Sequence, residues 1–200
     1  MTIEQIHDSA RLAQPIDLDR IQRAMLEIIE ALGEDPLREG LRDTPARVAR
    51  MYAELFEGLR LDPTEYLRVG FEAGHDEMVI LRDIPFYSVC EHHFMPFHGT
   101  AAVGYIPDGR VVGVSKLARL VEGFAHRPQL QERLTSQVAD ALMDTLEPDG
   151  VAVVIEAEHL CMTQRGVKKP GSRMITSATR GTFRKNEVTR AEFLSLVRGA

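Results

Sequence analysis

The sequence predicts an α+β protein in which a small antiparallel sheet packs against helices. Three observations support this class. Apolar residues recur at helical spacing through residues 17–60, the spacing becomes strand-like from Glu77, and helical spacing then separates two predicted strand pairs. The predicted order is helix, helix, two strands, two helices, two strands, helix. We expect the helices on one sheet face, and solvent or another subunit on the other face and at the edges.

Composition limits the classes of protein to consider. With 200 residues, 44% of them hydrophobic, the chain can bury one substantial core. No apolar stretch approaches the roughly 20 residues of a membrane span, and the polar start Met1–Ala13 does not resemble a secretion signal. A net charge of −6 argues against general nucleic-acid binding. We therefore expect a soluble, cytoplasmic protein without a nucleic-acid or membrane partner.

Three segments are predicted along the chain. Residues 1–16 are polar, lack a clear period and contain Pro15, which indicates a flexible N-terminal arm. Residues 17–60 form an N-terminal helical segment. Residues 61–200 carry the strands and the remaining helices, and they form the main domain.

The N-terminal segment contains two predicted helices. Asp17 is a plausible N-cap of the first and Gly33 ends it, with an apolar stripe that predicts a core or subunit contact: Ile21, Met25, Ile28, Ile29 and Leu32. Thr44 is predicted to cap the second helix, with Pro45 at its first position and Gly58 at its end. The buried face of that helix is predicted to be Val48, Met51, Tyr52 and Leu55.

The first half of the main domain alternates strands and helices. Met78–Leu81 and Gly99–Ile106 are predicted strands, and a short strand at Val111–Val114 leads into Ser115. Ser115 can cap a helix whose inward residues are Leu117, Leu120, Val121 and Phe124, and which Pro128 interrupts. Residues 131–146 are predicted to form the next amphipathic helix, with Leu134, Val138, Ala141 and Leu142 inward.

The C-terminal third is predicted to be two strands and a short helix. Val151–Glu158 has the composition of a buried strand, and Arg173–Arg180 is its expected antiparallel neighbour. Thr189 and Glu192 match a capping box for a last helix that contains Phe193, Leu194 and Val197.

A candidate metal site stands out because the chain has only two cysteines. Cys90 and His93 have the spacing of two ligands to one Zn²⁺, and Cys161 again lies beside a histidine. Two thiolates, one imidazole and an open fourth position are typical of catalytic zinc. Two alternatives remain: a Cys90–Cys161 disulfide, or a closed structural site completed by His92 or His98.

Three polar clusters accompany the metal candidates. Ser115, Lys116 and Arg119 lie near the start of a predicted helix, an arrangement that suits phosphates or, alternatively, a solvated face. Arg165 begins a basic, glycine-containing loop that could carry phosphate or simply connect two strands. Glu132 with Gln131 could bind the N–H edge of guanine, although such residues often serve the helix dipole.

Four ordered motifs resemble the GTP cyclohydrolase I family. They are Ser88–Phe94 (SVCEHHF), Val112–Arg119 (VGVSKLAR), Arg127–Thr135 (RPQLQERLT), and His159–Met162 (HLCM) followed by Arg165-Gly166-Val167. The resemblance runs from about Asp43 to the C-terminus. It implies the tunnelling fold (T-fold), in which small sheets from several subunits form a barrel, here a homodecamer of two stacked pentamers with active sites between subunits.

The resemblance also implies an activity and a cofactor. The family converts GTP and water to 7,8-dihydroneopterin triphosphate and formate, the first step of tetrahydrofolate or pterin synthesis. Zn²⁺ would be bound by Cys90, His93 and Cys161, with a water in the fourth position.

Roles for the remaining candidates follow from the same resemblance. His92 and His159 would transfer protons, and Glu132, helped by Gln131, would hold the guanine edge. Four residues would bind the triphosphate: Ser115, Lys116, Arg119 and Arg165. Arg47 aligns more loosely with an arginine that the family supplies from a neighbouring subunit.

Two other functions compete with this interpretation. One is a different tunnelling-fold enzyme acting on a purine or pterin, such as a nitrile reductase or a pyruvoyl-tetrahydropterin synthase, although those families lack this combination of motifs. The other is a non-catalytic, zinc-stabilised assembly or nucleotide-binding regulator, which would have no need of His92, His159 and Glu132.

Overall fold

The computed structural model describes residues 15–199, which divide into two compact units between Leu61 and Asp62. The predicted arm, residues 1–16, lies outside the described residues except for its last two, which have no regular secondary structure. Within residues 15–199, no helix combines the length and the apolar character that crossing a bilayer requires.

The first unit contains the two predicted helices, α1 (Leu18–Ala31) and α2 (Thr44–Leu55), and a 3₁₀ turn (Glu57–Arg60). Asp17 caps α1 as predicted, accepting a hydrogen bond from the Arg20 N–H at 2.9 Å. The cap predicted for α2 is wrong, because Asp43 occupies the N-cap and Thr44 is already helical. Pro45 still fits the first turn, where its missing N–H has no helical partner to lose.

The apolar stripes of these helices are only partly buried. On α1, Ile29 is buried, whereas Ile28 is 51% and Leu32 is 76% exposed. On α2 the fully buried residue is Ala49, and Met51 is exposed. Within a single chain the predicted stripes therefore contribute fewer core residues than their spacing indicated.

The second unit is built on a five-stranded sheet. A separate two-stranded pair joins β1 (Gly70–Glu72) to β4 (Arg110–Val112). The main sheet has the order β5-β2-β3-β6-β7, and its strands are β2 (Val79–Cys90), β3 (Pro96–Ile106), β5 (Pro128–Gln129), β6 (Gly150–His159) and β7 (Met174–Gly181). Its pairs are antiparallel except for the short parallel pair of β2 with β5.

Strand β2 ends inside the candidate metal motif, at Cys90, well beyond the predicted Met78–Leu81. Its register with β3 shifts between Leu81 and Ile84, and Asp83 has a φ of 58°. A bulge of this kind breaks the alternation by which strands are recognised in a sequence. Pro85 is tolerated because β2 pairs only with β3 at that position. Among the described residues, the other edge of β2 has no strand there, so no hydrogen bond to a second strand is lost.

Two long helices, α3 (Val114–Ala125) and α4 (Gln131–Leu146), cover one face of the sheet and form the main core. The bounds of α4 are those predicted, and its four predicted inward residues are all buried. The cap predicted for α3 is wrong, since Gly113 is the N-cap and Ser115 lies inside the helix. A 3₁₀ helix (Pro63–Arg68) packs against both α3 and α4.

The prediction of helices on one face only is also wrong. After two short helices, α5 (Leu160–Thr163) and α6 (Thr182–Lys185), the last helix α7 (Glu187–Arg198) places Phe193 in a second core on the opposite face. Gly104 of β3 makes room for that ring, because a Cβ there would lie 2.7 Å from it. Asn186, rather than the predicted Thr189 and Glu192 box, caps α7.

Gly99 is expected to be intolerant of any side chain. It lies where β3 pairs with β6, and a Cβ would come within 1.9 Å of the Glu156 carbonyl oxygen and 2.7 Å of the Ala157 Cα. Gly99→Ala should destabilise the protein by about 3 kcal/mol or more, which lowers the melting temperature by about 6 to 12 °C in a chain of this size. Gly113→Ala, whose Cβ would meet nothing closer than 3.9 Å, is the matched control in thermal unfolding. Equal melting temperatures for the two variants would contradict this prediction.

Candidate metal centre and nucleotide site

Three ligand atoms converge at the end of strand β2. The Cys90 and Cys161 sulfurs and one His93 ring nitrogen all lie within 4.8 Å of one another. Cys90 ends β2, His93 follows in the turn that returns to β3, and Cys161 lies on α5 directly after β6. Pairing of β2 and β6 with β3 brings together cysteines that are distant in sequence.

The turn that carries His93 is held by backbone hydrogen bonds. The Cys90 N–H donates to the Met95 carbonyl and the Phe94 N–H to the Cys90 carbonyl, each at 2.8 Å. Phe94 closes the turn with a φ of 52°. On the other side of Cys90, the Glu91 N–H donates to the Gln129 carbonyl of β5 at 3.1 Å. Cys90 and His93 are thus fixed relative to each other by the local backbone.

The donor set fits a zinc ion. Ligands bound at about 2.0–2.3 Å to one tetrahedral ion lie roughly 3.5–3.8 Å apart, so small side-chain rotations would bring these three to one ion. Both cysteines are free thiols. Burial raises the pKa of the Cys161 thiol, the adjacent Cys90 adds to the shift, and Arg165 opposes it. A cation between the thiols removes this penalty, because it binds them as thiolates.

The alternatives to an open site are not supported by the geometry. The sulfurs are close but form no disulfide. Within residues 15–199, neither His92 nor His98 belongs to the ligand group. The His98 ring instead packs on Tyr87 with the ring centroids 5.7 Å apart, and the His92 ring lies 6.3 Å from the His93 ring. Three protein ligands and a free fourth position are the arrangement of catalytic zinc.

His159 lies two residues before Cys161 and is half-buried. Its Nε2 is 2.8 Å from the Gln131 side-chain oxygen, and its ring stacks on Phe97 with centroids 4.5 Å apart and planes 2° from parallel. Burial lowers the pKa of the His159 imidazole, while the Glu132 carboxylate opposes that shift. The neutral ring is therefore favoured, and it is held in one plane.

Helix α4 supplies the predicted guanine-binding residues from its first turn. The Glu132 side chain is exposed, whereas Gln131 is completely buried and its amide is bonded to protein groups. Arg133 forms a two-point ion pair with Glu91, with one N–O distance of 2.9 Å. Those hydrogen bonds are the main reason that the pKa of Glu91 is lowered. The pair ties the start of α4 to the turn that carries His93.

The predicted phosphate residues lie on two elements. Ser115, Lys116 and Arg119 occupy the first half of α3, and the Arg119 guanidinium lies 5.8 Å from the centre of the Tyr66 ring. Arg165 follows α5 and is exposed. Arg47 belongs to the first unit, where it pairs with Asp43 at 3.2 Å. Their binding of a nucleotide stays a prediction.

Several residues around the site were not predicted from the sequence. Phe97 and Thr176 lie on separate strands and carry no local signal of a role. Ser88 donates to the Ala125 carbonyl at 2.7 Å, which ties β2 to the end of α3. The Gln129 amide donates to the Phe124 carbonyl at 3.0 Å and to Gln137 at 2.9 Å. Of these residues, only Ser88 and Gln129 could have been singled out in the sequence, because each lies within one of the four motifs. Their hydrogen bonds give them a structural role.

Comparison with known proteins gives consistent matches. The family model described as GTP cyclohydrolase I matches residues 21–198. A protein named GTP cyclohydrolase 1 from Dehalococcoides mccartyi is 64% identical over 183 residues, covering 90% of this chain and 97% of the relative. Proteins of that name from Pelotomaculum thermopropionicum and Halalkalibacterium halodurans are 64% and 61% identical, each covering 92% of this chain and 98% of the relative.

Among solved structures, the apo archaeosine synthase QueF-Like matches at 21% identity and a TM-score of 0.44. The match covers 52% of this chain and 93% of that one. A TM-score of this size does not establish a common fold. The family model spans both units of the described structure, and the relatives match over nearly their whole length. The chain therefore belongs to the GTP cyclohydrolase I family.

Proposed function

We propose that this protein is a zinc-dependent GTP cyclohydrolase I. It opens the imidazole ring of the guanine of GTP by hydrolysis, releases formate, and closes a new ring to give 7,8-dihydroneopterin triphosphate, the first step of tetrahydrofolate or pterin synthesis. The observation that carries the proposal is the group of three possible zinc ligands, Cys90, His93 and Cys161, in a chain of this family.

Each group of candidate site residues has its own role in this reaction. Cys90, His93 and Cys161 hold Zn²⁺, which when bound supplies Lewis-acid chemistry and makes a water acidic enough to ionise near neutral pH. His92 and His159 hold and move protons as the ring opens and formate leaves. Glu132 accepts hydrogen bonds from the N–H edge of guanine. Cationic and hydroxyl groups hold the triphosphate: Ser115, Lys116, Arg119 and Arg165.

The proposal extends to assembly and compartment. Strand β7 is an edge of the sheet, and its Ile175 is 65% exposed, so this edge and face need covering. We propose a T-fold homodecamer of two stacked pentamers, in which Arg47 reaches the site of a neighbouring subunit. Mass measurement of the native protein in solution tests this assembly. Two free thiols and a nucleotide substrate favour the cytoplasm.

The decisive experiment is incubation of purified, zinc-loaded protein with GTP. We expect formate and a pterin that becomes fluorescent after oxidation, in equal amounts. Absence of both products would overturn the proposal. A product formed instead from a pterin or a deazapurine nitrile would identify another tunnelling-fold enzyme, and GTP binding without turnover would identify a regulator.

Glu132→Gln is expected to weaken recognition of guanine. The substitution replaces a charged acceptor with an amide of the same shape, and hydrogen bonds to charged groups contribute about 1.5–3 kcal/mol. We expect kcat/KM for GTP to fall about 10- to 100-fold, with a smaller fall for inosine triphosphate, which lacks the exocyclic amine. Asp144→Asn, an exposed carboxylate near the other end of α4, is the control. Equal losses for the two nucleotides would argue against a contact between Glu132 and the exocyclic amine.

A further inference from the structure

Gln131 is completely buried, and its side-chain nitrogen faces three acceptors. These are the Ile155 carbonyl at 3.0 Å, the Met174 carbonyl at 3.0 Å and the Thr176 hydroxyl at 3.1 Å. Backbone carbonyls can only accept hydrogen bonds, so the atom facing them must be the amide nitrogen. Strands β6 and β7 thus fix which way the Gln131 amide is turned.

The orientation of this amide determines which ring nitrogen of His159 carries a hydrogen. With the nitrogen turned to the sheet, the Gln131 oxygen is the atom 2.8 Å from His159 Nε2. That oxygen can only accept, so Nε2 must carry a hydrogen whether the ring is neutral or charged. The nitrogen left to exchange a proton is Nδ1. Stacking on Phe97 holds the ring in one plane. A 180° flip within that plane would replace Nε2 by a ring carbon and break the hydrogen bond to Gln131.

Two hydroxyl groups extend the network behind Gln131. Thr135 Oγ1 lies 2.6 Å from the backbone carbonyl oxygen of Gln131 and 2.6 Å from Thr176 Oγ1. A carbonyl can only accept, so Thr135 donates its hydroxyl hydrogen to it and accepts from Thr176. The Thr176 oxygen then keeps its lone pairs for the Gln131 amide. The Gln131 amide nitrogen has two hydrogens for its three acceptors, so one of them is shared, and all the bonds of the network agree with the same amide orientation.

We propose that Gln131 is a positioning residue that holds the hydrogen of His159 on Nε2 and leaves Nδ1 as the nitrogen that exchanges protons with the substrate. Thr135 and Thr176 act through Gln131 by keeping its amide in this orientation. The inference rests on the proposed function for the identity of the substrate. The position of the hydrogen follows from the hydrogen-bond network and can be tested without turnover.

Neutron diffraction from crystals of the zinc-loaded, deuterium-exchanged protein shows directly which nitrogen of His159 carries the hydrogen. We expect deuterium on His159 Nε2, with the Gln131 oxygen facing it and the amide nitrogen facing Ile155 and Met174. Deuterium on Nε2 supports the inference whether or not Nδ1 also carries one. A bare Nε2, or a reversed amide, would overturn it. Because this result needs no substrate, it stays separate from any failure of the proposed function.

Kinetics of substituted proteins test the consequence for catalysis. Gln131→Met should lower kcat about 10- to 100-fold, the loss typical of removing a partner that orients a ligand or catalytic imidazole. KM for GTP should change little, because the proposed GTP-binding groups are unchanged and His159 is still present, although Gln131 no longer positions it. An unchanged kcat, or a loss confined to KM, would overturn the role. If this variant does not fold, the threonine variants carry the test.

Thr135→Val and Thr176→Val remove one hydroxyl each at nearly constant shape. We expect kcat to fall roughly fivefold in each, the effect of one net hydrogen bond, and Thr135→Ser and Thr176→Ser should restore it. Thr179→Val, on β7 but on the opposite face of the sheet, is the matched control and should keep the wild-type kcat. A serine variant that fails to restore activity, or an equal loss in Thr179→Val, would show that packing and not the hydroxyl is responsible.

Discussion

Replacing Cys161 with alanine is expected to remove both bound zinc and GTP turnover. The ligand group has three members, and the two that remain should hold zinc only weakly. Loss of an outer partner of a ligand already lowers metal affinity by about 10- to 100-fold, so loss of the ligand itself should exceed that. Zinc per chain after dialysis and the rate of formate release measure the two effects.

The matched control for Cys161→Ala is Met162→Ala, on the next position of α5. Met162 is 42% exposed and lies outside the ligand group, so its removal should leave zinc and turnover at the wild-type level. Full zinc occupancy and normal turnover in Cys161→Ala would remove this cysteine from the metal site. A loss of zinc in both variants would indicate that α5 itself had been disturbed.

Replacing His159 with alanine is expected to lower kcat while leaving zinc bound. Proton transfer by a positioned side chain contributes about 10²- to 10⁴-fold to rate, and the His159 ring is bonded to Gln131 and stacked on Phe97. It is not one of the three grouped ligands, so metal content should stay at the wild-type level. Steady-state kinetics with GTP and metal analysis of the same sample provide the measurement.

His98→Asn is the control for His159→Ala. His98 lies on the neighbouring strand and packs on Tyr87, and it does not join the ligand group. We expect normal zinc and near-normal turnover from it. Loss of zinc in His98→Asn would support the closed structural site, and normal kcat in His159→Ala would exclude His159 from the chemistry.

Elements with a regular apolar pattern were predicted well from the sequence. The bounds of α4 are those predicted, because apolar residues recur at helical spacing along its whole length and Pro148 and Gly150 follow it. Strand β6 differs from its prediction by one residue at each end. In both elements the neighbours in sequence carry the signal, so no knowledge of distant contacts was needed.

Local signals were weaker where more than one residue could cap the same helix. Asp43 and Thr44 are both good N-caps, as are Asn186 and Thr189, and in both helices the earlier residue takes the position. Strand β2 was cut short because its bulge at Asp83 interrupts the alternation. The helix on the second face could not be predicted, since the pattern of α7 does not say which sheet face its Phe193 meets.

At the candidate metal site, too, the sequence predicted the residue types, and the fold decided which of them meet. Two cysteines beside histidines predicted the ligand set, and the structure brings that set within 4.8 Å. The sequence placed Gln131 beside Glu132 as a base-binding residue, a role that stays a prediction. In the folded chain its amide meets two strands and His159.

By itself, the sequence determined the kinds of chemistry available: soft ligands and imidazoles for a metal, carboxylates and cations for a nucleotide, and helices and strands long enough to build a core. The tertiary structure decided which of these groups meet. The partners of the Gln131 side chain, for example, lie 24 to 45 residues away in the chain, and hydrogen bonds to them depend on strand pairing and amide orientation. Such pairings have no signature in the residues themselves, because an amide has the same composition whichever way it is turned.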